Sequence, residues 1–362
     1  SDSNGIGDFF YAPPNSYLAL CTANLPSVDV IPSENFNTVL WTGNGSTQSI
    51  TGVGFQPDFT WVKSRDTAWS HSLQDILRPT VSGSSLPRLL SNSTAAESIN
   101  SGMVSFDSDG FSLNADANFT NANLDTFVAW NWKAGGSAVS NTNGTITSSV
   151  SANPSAGFSI VSYTGTGVGG ATLGHGLTLA APEMVIVKNR SISRDWQVHH
   201  AVGKRLVFNG TGAEISDTLS ISNFGASTIT WQGGNSINNS TDAFIAYCFH
   251  SVDGHSKVGS YTGNGSADGV FVHCGFRPAY VLIKTTNATA TWHIYDSMRD
   301  TYNLSDTRLT ADESNAEGTA GGLDFVSNGL KLRTTAAGTN TSGGTYIFIA
   351  FAENPFKHTN AR

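Results

Sequence analysis

Charged side chains are scarce in this sequence, and their scarcity excludes several classes of protein. Asp, Glu, Lys and Arg make up 13% of the 362 residues, with a formal net charge of −8. There is no basic stripe, which argues against nucleic acid as a partner. The shortage of Lys and Glu argues against long exposed helices. Hydrophobic residues still reach 39%, so the chain can build a core and is not of the disordered class.

Cysteine and long apolar runs are also scarce. Cys21, Cys248 and Cys274 are odd in number and have no regular spacing, which argues against a disulfide framework and a cysteine zinc site. No apolar run approaches the roughly 20 residues of a membrane helix, and no signal peptide is visible. Because the chain begins at Ser1 without Met, we expect it to be a piece of a longer protein.

What the chain does contain is a pattern that occurs three times, Pro-x5-Lys-x7-(His/Trp)-x3-(Asp/His). The spacing inside the pattern does not change between copies. A period of roughly 100 residues indicates three copies of one domain, here called repeats 1, 2 and 3. The copies are Pro57, Lys63, His71 and Asp75; Pro182, Lys188, Trp196 and His200; and Pro278, Lys284, Trp292 and Asp296.

Further markers fall in register with this pattern. Each repeat opens with aromatic-Thr-Gly-x-Gly and closes with Phe-(Val/Ile)-Ala-aromatic. Repeats 1 and 3 share a hairpin signal that has drifted in repeat 2, where the stretch around Phe224 and Trp231 is a weak match. The opening motifs begin at Trp41, Tyr163 and Tyr261, and the closing motifs begin at Phe127, Phe244 and Phe348.

Short runs rich in β-branched and aromatic residues, bounded by turn signals, predict strands and no convincing helix. We therefore expect an all-β protein of three tandem β-sandwich or jelly-roll-like repeats of about 100 residues with an extended N-terminal arm. We expect repeat 1 to be offset, and repeats 2 and 3 to be packed together. The predicted boundaries are 1–35 for the arm, 36–136 for repeat 1, 137–156 for a linker, 157–252 for repeat 2 and 253–362 for repeat 3.

The repeated polar residues have structural and functional interpretations, of which we favour the structural. Lys63, Lys188 and Lys284 could contact a ligand or form inter-repeat salt bridges, but a strand-end Lys with its head in water is simpler. His71, Trp196 and Trp292 share a face with an aliphatic residue, which predicts a core position. Two Asp-x-x-Arg pairs predict structural ion pairs that close a turn, namely Asp75 with Arg78 and Asp296 with Arg299.

Motifs of catalysis are not found. There is no Gly-x-Ser-x-Gly elbow and no His-Glu-x-x-His. The Thr-Gly-x-Gly loops lack the following helix that a phosphate cradle needs. The fragment Asp107–Gly110 lacks the rest of a calcium loop and predicts a hairpin tip, and the His clusters at 199–200 and 250–255 lack metal-ligand spacing. We predict no enzyme, no catalytic residue, no cofactor and no metal.

Three segments together resemble a repeat family of structural proteins from tailed phages, mostly marine and aquatic ones. They are Asn37–Ile50 with Gly54–Pro57, Phe158–Gly165 and Phe348–Phe356, and the resemblance covers residues 36–356. In that family the repeats form the C-terminal part of longer virion proteins, often behind a lectin-like β-sandwich. The resemblance implies a virion-surface or tail-fibre role and brings no catalytic or binding residues. His71 departs from a usually aromatic position.

We therefore expect a non-enzymatic virion surface protein, a tail-fibre or receptor-binding module that contacts host-surface glycan. Exposed aromatic rings would supply the contacts, with Trp41, Trp69 and Trp231 as candidates. Expected partners are other copies of the chain (a homotrimer by analogy), other virion proteins and host glycan, without nucleic acid or membrane insertion. One alternative is a self-assembling subunit of a fibre, tube or capsid decoration, whose arm adds a strand to a neighbour. Another is a polysaccharide depolymerase.

Overall fold

The predicted all-β fold is confirmed. In the computed structural model, the described residues form strands and one short 3-10 turn, Pro32–Glu34, without an α-helix. None of their helical segments has the length and apolar character to cross a membrane. The structure describes residues 1–11, 13–14, 17–19, 24, 30–78, 85–99, 102–116, 118–217 and 220–353.

Seven strands build repeat 1, and eight build repeat 3. Their spacing follows the turn signals of the sequence. Repeat 1 contains β1 (Phe36–Thr42), β2 (Gln48–Thr51), β3 (Phe59–Ser64), β4 (Ser72–Asp75), β5 (Met103–Asp107), β6 (Gly110–Leu113) and β7 (Thr126–Trp132). Repeat 2 and the segment before it contain β8 (Val139–Asn141), β9 (Ser148–Asn153), β10 (Phe158–Thr164), β11 (Thr172–Gly174), β12 (Met184–Asn189), β13 (Gln197–Ala201), β14 (Lys204–Val207), β15 (Ile215–Ser216), β16 (Ile221–Phe224), β17 (Thr228–Trp231) and β18 (Ala243–Phe249). Repeat 3 contains β19 (Ser256–Thr262), β20 (Phe271–His273), β21 (Pro278–Thr285), β22 (His293–Asp296), β23 (Ser305–Thr310), β24 (Gly318–Val326), β25 (Gly329–Leu332) and β26 (Thr345–Ala352).

Each repeat is a two-layered sandwich with the same strand order. The inner sheets run β1-β7-β3-β4, β10-β18-β12-β13 and β19-β26-β21-β22, with antiparallel neighbours. The outer layers run β2-β6-β5, β11-β17-β16 and β20-β25-β24. In repeat 3, β23 joins both layers into one eight-stranded sheet. This repetition of topology matches the repetition of sequence.

The inner sheets are covered on both faces, which explains their nearly continuous apolar runs. One face of each inner sheet packs against its own outer layer. The opposite face packs against the other two inner sheets in one shared central core. Alternation along β7 shows the division, because Trp130 and Trp132 point to the central core and Ala129 points to the core of repeat 1.

Aromatic contacts in the central core connect every pair of repeats. The ring centroids of Phe59 and Tyr247 lie 4.4 Å apart between repeats 1 and 2. Phe208 and Trp292 lie 4.9 Å apart between repeats 2 and 3. Between repeats 3 and 1, Phe36 stacks on Phe351 at 4.7 Å. The three repeats therefore form one body around a pseudo-threefold axis, and the expectation that repeat 1 is offset is wrong.

The predicted linker at 137–156 is corrected as well. Strands β8 and β9 form a hairpin within it, and β9 pairs with β10 along the edge of the inner sheet of repeat 2. Its Ser, Thr and Asn content suggested a linker, but Ser148, Val150 and Ser151 are buried, and Val150 lies in the core of repeat 2. By contrast, residues 250–255 alone join β18 to β19.

The N-terminal arm is not extended in its described part. The Asp2 carboxylate accepts hydrogen bonds from the backbone N–H groups of Asn4, Ile6 and Ala19, at 2.9, 2.9 and 2.7 Å. It also accepts one from the amide of Asn24 at 2.6 Å. These contacts hold residues 2–6 against Ala19 and Asn24, because one buried carboxylate accepts from four donors at separate positions.

We expect the chain to unfold as one cooperative unit. Trp132→Ala removes a ring that contacts Phe36, Tyr280 and Phe351 in the central core. The cavity should destabilise all three repeats together, by about 3–5 kcal/mol. Calorimetry should show a single transition at a lower temperature, and the exposed-site variant Val139→Ala should not shift it. Separate transitions with only repeat 1 affected would contradict this expectation.

Candidate functional site

The Thr-Gly-x-Gly loops are turns. A side chain at the first glycine would collide with a backbone carbonyl, for example at Gly43, where a Cβ would lie 2.1 Å from Ala122 O. The second glycine takes a positive φ, +66° at Gly45. A buried Asn closes each loop by accepting its backbone N–H, as Asn121 does for Asn44 at 3.0 Å. The equivalent residues are Gly165, Gly167 and Asn238 in repeat 2 and Gly263, Gly265 and Asn340 in repeat 3.

The repeated lysines are fully buried, so the expected water-exposed head is wrong. Lys188 Nζ donates across to Thr94 O of repeat 1 at 2.8 Å, and Lys284 Nζ donates to Thr211 O of repeat 2 at 3.1 Å. Lys63 Nζ bonds carbonyls of its own loop, Ser64 O and Thr67 O, at 2.6 and 3.1 Å. Burial lowers the pKa of each lysine to about 8.

The His/Trp position is buried as predicted, and its ring N–H joins two repeats. Trp196 Nε1 donates to Leu90 O at 2.8 Å, and Trp292 Nε1 donates to Val207 O at 3.1 Å. His71 Nε2 lies 2.9 Å from Thr310 O. Contacts of the same kind therefore recur at seam 1/2, seam 2/3 and seam 3/1, as we call the three boundaries between repeats.

The acceptor side of each seam carries a repeated motif that the sequence analysis missed, Arg-Leu-x2-(Asn/Asp)-x-(Thr/Ser)-x-Ala-Glu. The Asn or Asp of the motif accepts the backbone N–H of the His/Trp residue in the same repeat. The distance in sequence between those two residues is 21, 13 and 20, so a search at fixed spacing fails, although the motif itself is regular. The motifs are Arg88–Glu97, Arg205–Glu214 and Arg308–Glu317.

At seam 1/2, a buried ion-pair network closes the boundary. Arg78 pairs with Asp75 at 2.6 Å, in the ion pair that the Asp-x-x-Arg spacing predicts, and reaches Glu97 at 3.3 Å. The Tyr247 hydroxyl of repeat 2 donates to Asp75 at 2.7 Å. The carboxylate and hydroxyl of its neighbours hold the pKa of Arg78 above its usual range despite burial, so this guanidinium stays charged.

Seam 3/1 repeats this network with different residues. Arg299 pairs with Asp296 at 2.6 Å and reaches Glu317 at 3.4 Å. Trp130 Nε1 of repeat 1 donates to Asp296 at 3.0 Å, in the place of the tyrosine hydroxyl. Arg65 forms a further pair with Glu317 at 2.8 Å.

Seam 2/3 departs from this plan on both sides at once. His200 and Gly203 stand where the other repeats have Asp and Arg, and Phe351, which has no donor, stands where they have Tyr247 and Trp130. Without the acid, a donor would have no acceptor, so the two changes fit each other. Glu214 pairs instead with His200 at 2.9 Å and with the half-exposed Lys204 at 2.8 Å.

An open groove of about 600 Å³ follows seam 2/3. One wall is the edge of β19 and the other carries Glu183, His200 and Glu214. The equivalent groove at seam 3/1 is smaller, about 340 Å³. At seam 1/2 the corresponding space holds the connector to repeat 2, where the Asp58 carboxylate accepts the N–H groups of Ala134 and Gly136 at 2.7 and 3.1 Å.

The three candidate tryptophans do not share one environment. Trp231 is fully buried in the core of repeat 2, stacked on Tyr163, so its prediction as an exposed ring is wrong. Trp41 is half-buried against Phe127, and its Nε1 donates to Thr120 O at 3.2 Å. Trp69 is half-buried, and its Nε1 donates to Asp125 at 2.9 Å. Trp41 and Trp69 therefore donate to the two ends of the segment 120–125.

Around Trp69, a surface carries two rings and two carboxylates. The Phe119 ring lies 6.4 Å from that of Trp69. Asp66 accepts the N–H and hydroxyl of Thr126 at 2.9 and 3.0 Å. Leu124 projects into solvent, 76% exposed. We call these residues the repeat 1 loop surface: Asp66, Trp69, Phe119, Leu124 and Asp125.

Leu124 has a backbone conformation that its side chain disfavours. Its φ is +70°, a conformation that costs a residue with Cβ roughly 1–2 kcal/mol. The equivalent residues, identified by their N–H bond to the first loop glycine, are Thr241 and Gly343, with φ of +69° and +73°. Repeat 3 thus uses the unstrained residue. Because an exposed leucine at this position contributes nothing to the core, we include Leu124 in the candidate binding surface.

Among the residues that the structure describes, no group of three or more His, Cys, Asp or Glu could hold a metal. The predicted hairpin tip is structural, since Asp109 accepts the N–H groups of Gly52 and Gly54 at 3.1 and 2.6 Å. Cys248 and Cys274 are buried thiols without a disulfide, and Cys21 lies outside the described residues.

The comparisons with known proteins give one family. A family model described as "Domain of unknown function (DUF7483)" matches residues 31–355. A search of curated proteins finds no match to the chain.

We expect His71 to make the fold sensitive to acid. Its Nδ1 accepts the Trp61 N–H at 2.8 Å, which requires a neutral ring, and burial lowers its pKa to about 3. The unfolded chain takes up this proton near pH 6.5, so stability falls as pH falls from 6.5 towards 3. His71→Gln should remove about 1.4 kcal/mol per pH unit from that slope.

The measurement is denaturant unfolding at several pH values from 7.5 to 4.5. His273→Gln, at an exposed ring, is the matched control and should leave the slope unchanged. A slope that is the same in His71→Gln as in the wild type would show that this histidine does not couple folding to protonation.

Proposed function

Since the chain belongs to the DUF7483 family, whose description leaves function open, we propose a function from its sequence and its geometry. We propose a non-enzymatic virion surface protein of the tail-fibre type. In this proposal the repeat 1 loop surface contacts glycan on the host cell. The Trp69 and Phe119 rings beside the Asp125 carboxylate carry the proposal.

The virion assignment is supported by the sequence resemblance to tailed-phage structural repeats. The fold is compatible with it, because one shared core makes the three repeats a rigid body that can hold an exposed surface in a fixed position. A surface poor in charge and rich in Ser, Thr and Asn suits weak, reversible contact with a polar polymer. Several copies of the chain in one particle would raise the affinity of such a weak site.

The glycan assignment is supported by the chemistry of the loop surface. Aromatic rings offer flat apolar area to the C–H face of a sugar, and carboxylates accept bonds from its hydroxyl groups. The bond from Trp69 Nε1 to Asp125 fixes the ring before a ligand arrives, which lowers the entropy cost of binding. Arg88 lies 3.8 Å above the Phe119 ring and fixes that ring too.

This surface occurs once in each chain. Arg194 and Ala290 stand at the positions equivalent to Trp69, six residues after the repeated lysine. Repeats 2 and 3 therefore cannot offer the same ring. Repeat 3 also lacks the exposed leucine, because Gly343 occupies the position of Leu124. Binding should be a property of repeat 1, with the other repeats as its support.

A second candidate function is a self-assembling structural subunit. It is favoured by the edges of β1 and β19, which no strand of the described residues covers on its outer side. Such edges pair readily with another chain. Mass photometry and negative-stain microscopy separate the two functions, because filaments or lattices favour assembly and discrete particles favour receptor binding.

We expect Trp69→Ala to weaken glycan binding strongly while the protein stays folded. Loss of an aromatic contact of this kind costs about 2 kcal/mol, or about thirtyfold in affinity. The measurement is a glycan array followed by calorimetric titration of the best ligand. Tyr302→Ala is the matched control, since this ring is 84% exposed on repeat 3.

Two results would contradict the proposal. One is a folded wild-type protein that binds no glycan, or binds equally well after Trp69→Ala. The other is release of reducing ends from host polysaccharide, which would favour a depolymerase.

A further inference from the structure

Three equivalent strand edges in this molecule differ in whether another strand covers them. The strands are β1, β10 and β19, and each lies at one side of an inner sheet. β10 is covered by β9, which pairs Ser149 with Ser162 and Ser151 with Ile160. In the described part of the chain, no strand pairs with the outer side of β1 or β19, although Ser256 at the start of β19 forms an isolated bridge with Val252 there. Repeat 2 therefore has a covering edge strand that repeats 1 and 3 lack among the described residues.

The open side of β19 presents backbone groups to the seam 2/3 groove. Alternate residues of an antiparallel strand direct their N–H and C=O groups to the same side. The Val258 N–H bonds Ser251 Oγ at 3.0 Å instead of β26, so Val258 and Ser260 face away from β26. Ser260 precedes Tyr261 as Ser162 precedes Tyr163, which makes Ser260 the counterpart of the residue that pairs with β9.

The Ser260 backbone has no hydrogen-bond partner among the described residues, and it lies in the wall of the groove. At β1 the edge is engaged at one further position, because Thr42 O accepts from Gln48 at 3.2 Å. The Thr38 N–H bonds the side chain of Asn37 at 2.9 Å, as the equivalent Val258 N–H of β19 bonds Ser251. The groove beside β19 is also larger, about 600 Å³ against about 340 Å³.

The aromatic residue of the opening motif gives an independent indication. Tyr163, in the repeat whose edge is covered by β9, is 4% exposed. Trp41 and Tyr261, in the repeats without such a strand, are only half-buried. A strand on the open edge of β19 would cover the flank of Tyr261 as β9 covers that of Tyr163.

We propose that the open edge of β19 is an acceptor for an extended strand of another polypeptide. The strand would pair antiparallel with Ser260 and Thr262, and with Val258 by displacing Ser251 Oγ, in the manner in which β9 pairs with β10. Its chemistry would resemble that of β9, Ser-Ser-Val-Ser-Ala-Asn, with small side chains and no acidic residue. Glu183 and Glu214 on the facing wall would repel an acidic strand. This interaction is independent of the glycan surface on repeat 1.

The probe is a fluorescent peptide with the sequence of residues 146–154 of this chain, which includes β9. It should bind the intact protein, as measured by fluorescence polarisation. The control peptide has Pro at the positions of Ser149 and Ser151, which removes the N–H groups that the edge would receive. It should bind at least about tenfold more weakly. No binding of the β9 peptide at millimolar concentration would overturn the proposal.

Two proline variants form a matched pair. Ser260→Pro removes an N–H that takes no part in the ladder to β26, so the fold should survive and peptide binding should fall at least about tenfold. Ser162→Pro removes the equivalent N–H that bonds β9, so it should lower the melting temperature. Unchanged peptide binding by Ser260→Pro would overturn the proposal.

Amide hydrogen exchange gives a test that needs no variant. The Ser260 and Thr262 amides should become protected when the β9 peptide is added, whereas the Gly259 amide, already within the ladder, should not change. Protection at other sites only would place the peptide elsewhere and overturn the proposal. Glycan binding by Trp69 has its own readout, so failure of either proposal leaves the other to be judged separately.

Discussion

The whole molecule depends on burial of three apolar sheet faces against one another. Each inner sheet carries large rings on the face turned away from its own sandwich, including Trp130, Tyr247 and Phe351. A single repeat would expose that face to water, a large apolar patch that isolated soluble domains rarely tolerate. Three repeats cover it mutually without a partner chain. The central core therefore explains why the sequence repeats and why the copies form one body.

Polar groups at the seams follow from that core. Once the sheets meet, groups at their rims lose water and need partners inside the protein. The lysines donate to carbonyls, the Trp and His rings donate to a neighbouring repeat, and Arg78 and Arg299 lie between carboxylates. At seam 2/3 the Asp, the Arg and the Tyr or Trp donor are all replaced. No member of the network is therefore left without its partner, but a groove remains open along that seam. Pseudo-symmetry in the core thus coexists with asymmetry at the rim.

The strands and the repeat order could be predicted from the sequence, because buried strands read as apolar runs and fixed spacings mark equivalent positions. The hairpin β8–β9 could not, since its Ser and Asn content is typical of a linker and its burial depends on contact with β10. The loop surface was half predicted. Trp69 was named from its residue type, whereas Leu124 and Phe119 join it only through the fold. Trp231 was misplaced, because a tryptophan in a strand does not reveal which face it occupies until the sheets pack.

The sequence by itself determined the fold class, the number of repeats and the residues that recur in each, since these depend on local periodicity and spacing. Only the tertiary structure decided that the His/Trp rings, and two of the three repeated lysines, donate to carbonyls of another repeat, because those carbonyls are distant along the chain. It also decided which strand edges stay open. An edge is open or covered according to what packs beside it, and that information resides in the arrangement of all three repeats rather than in any one of them.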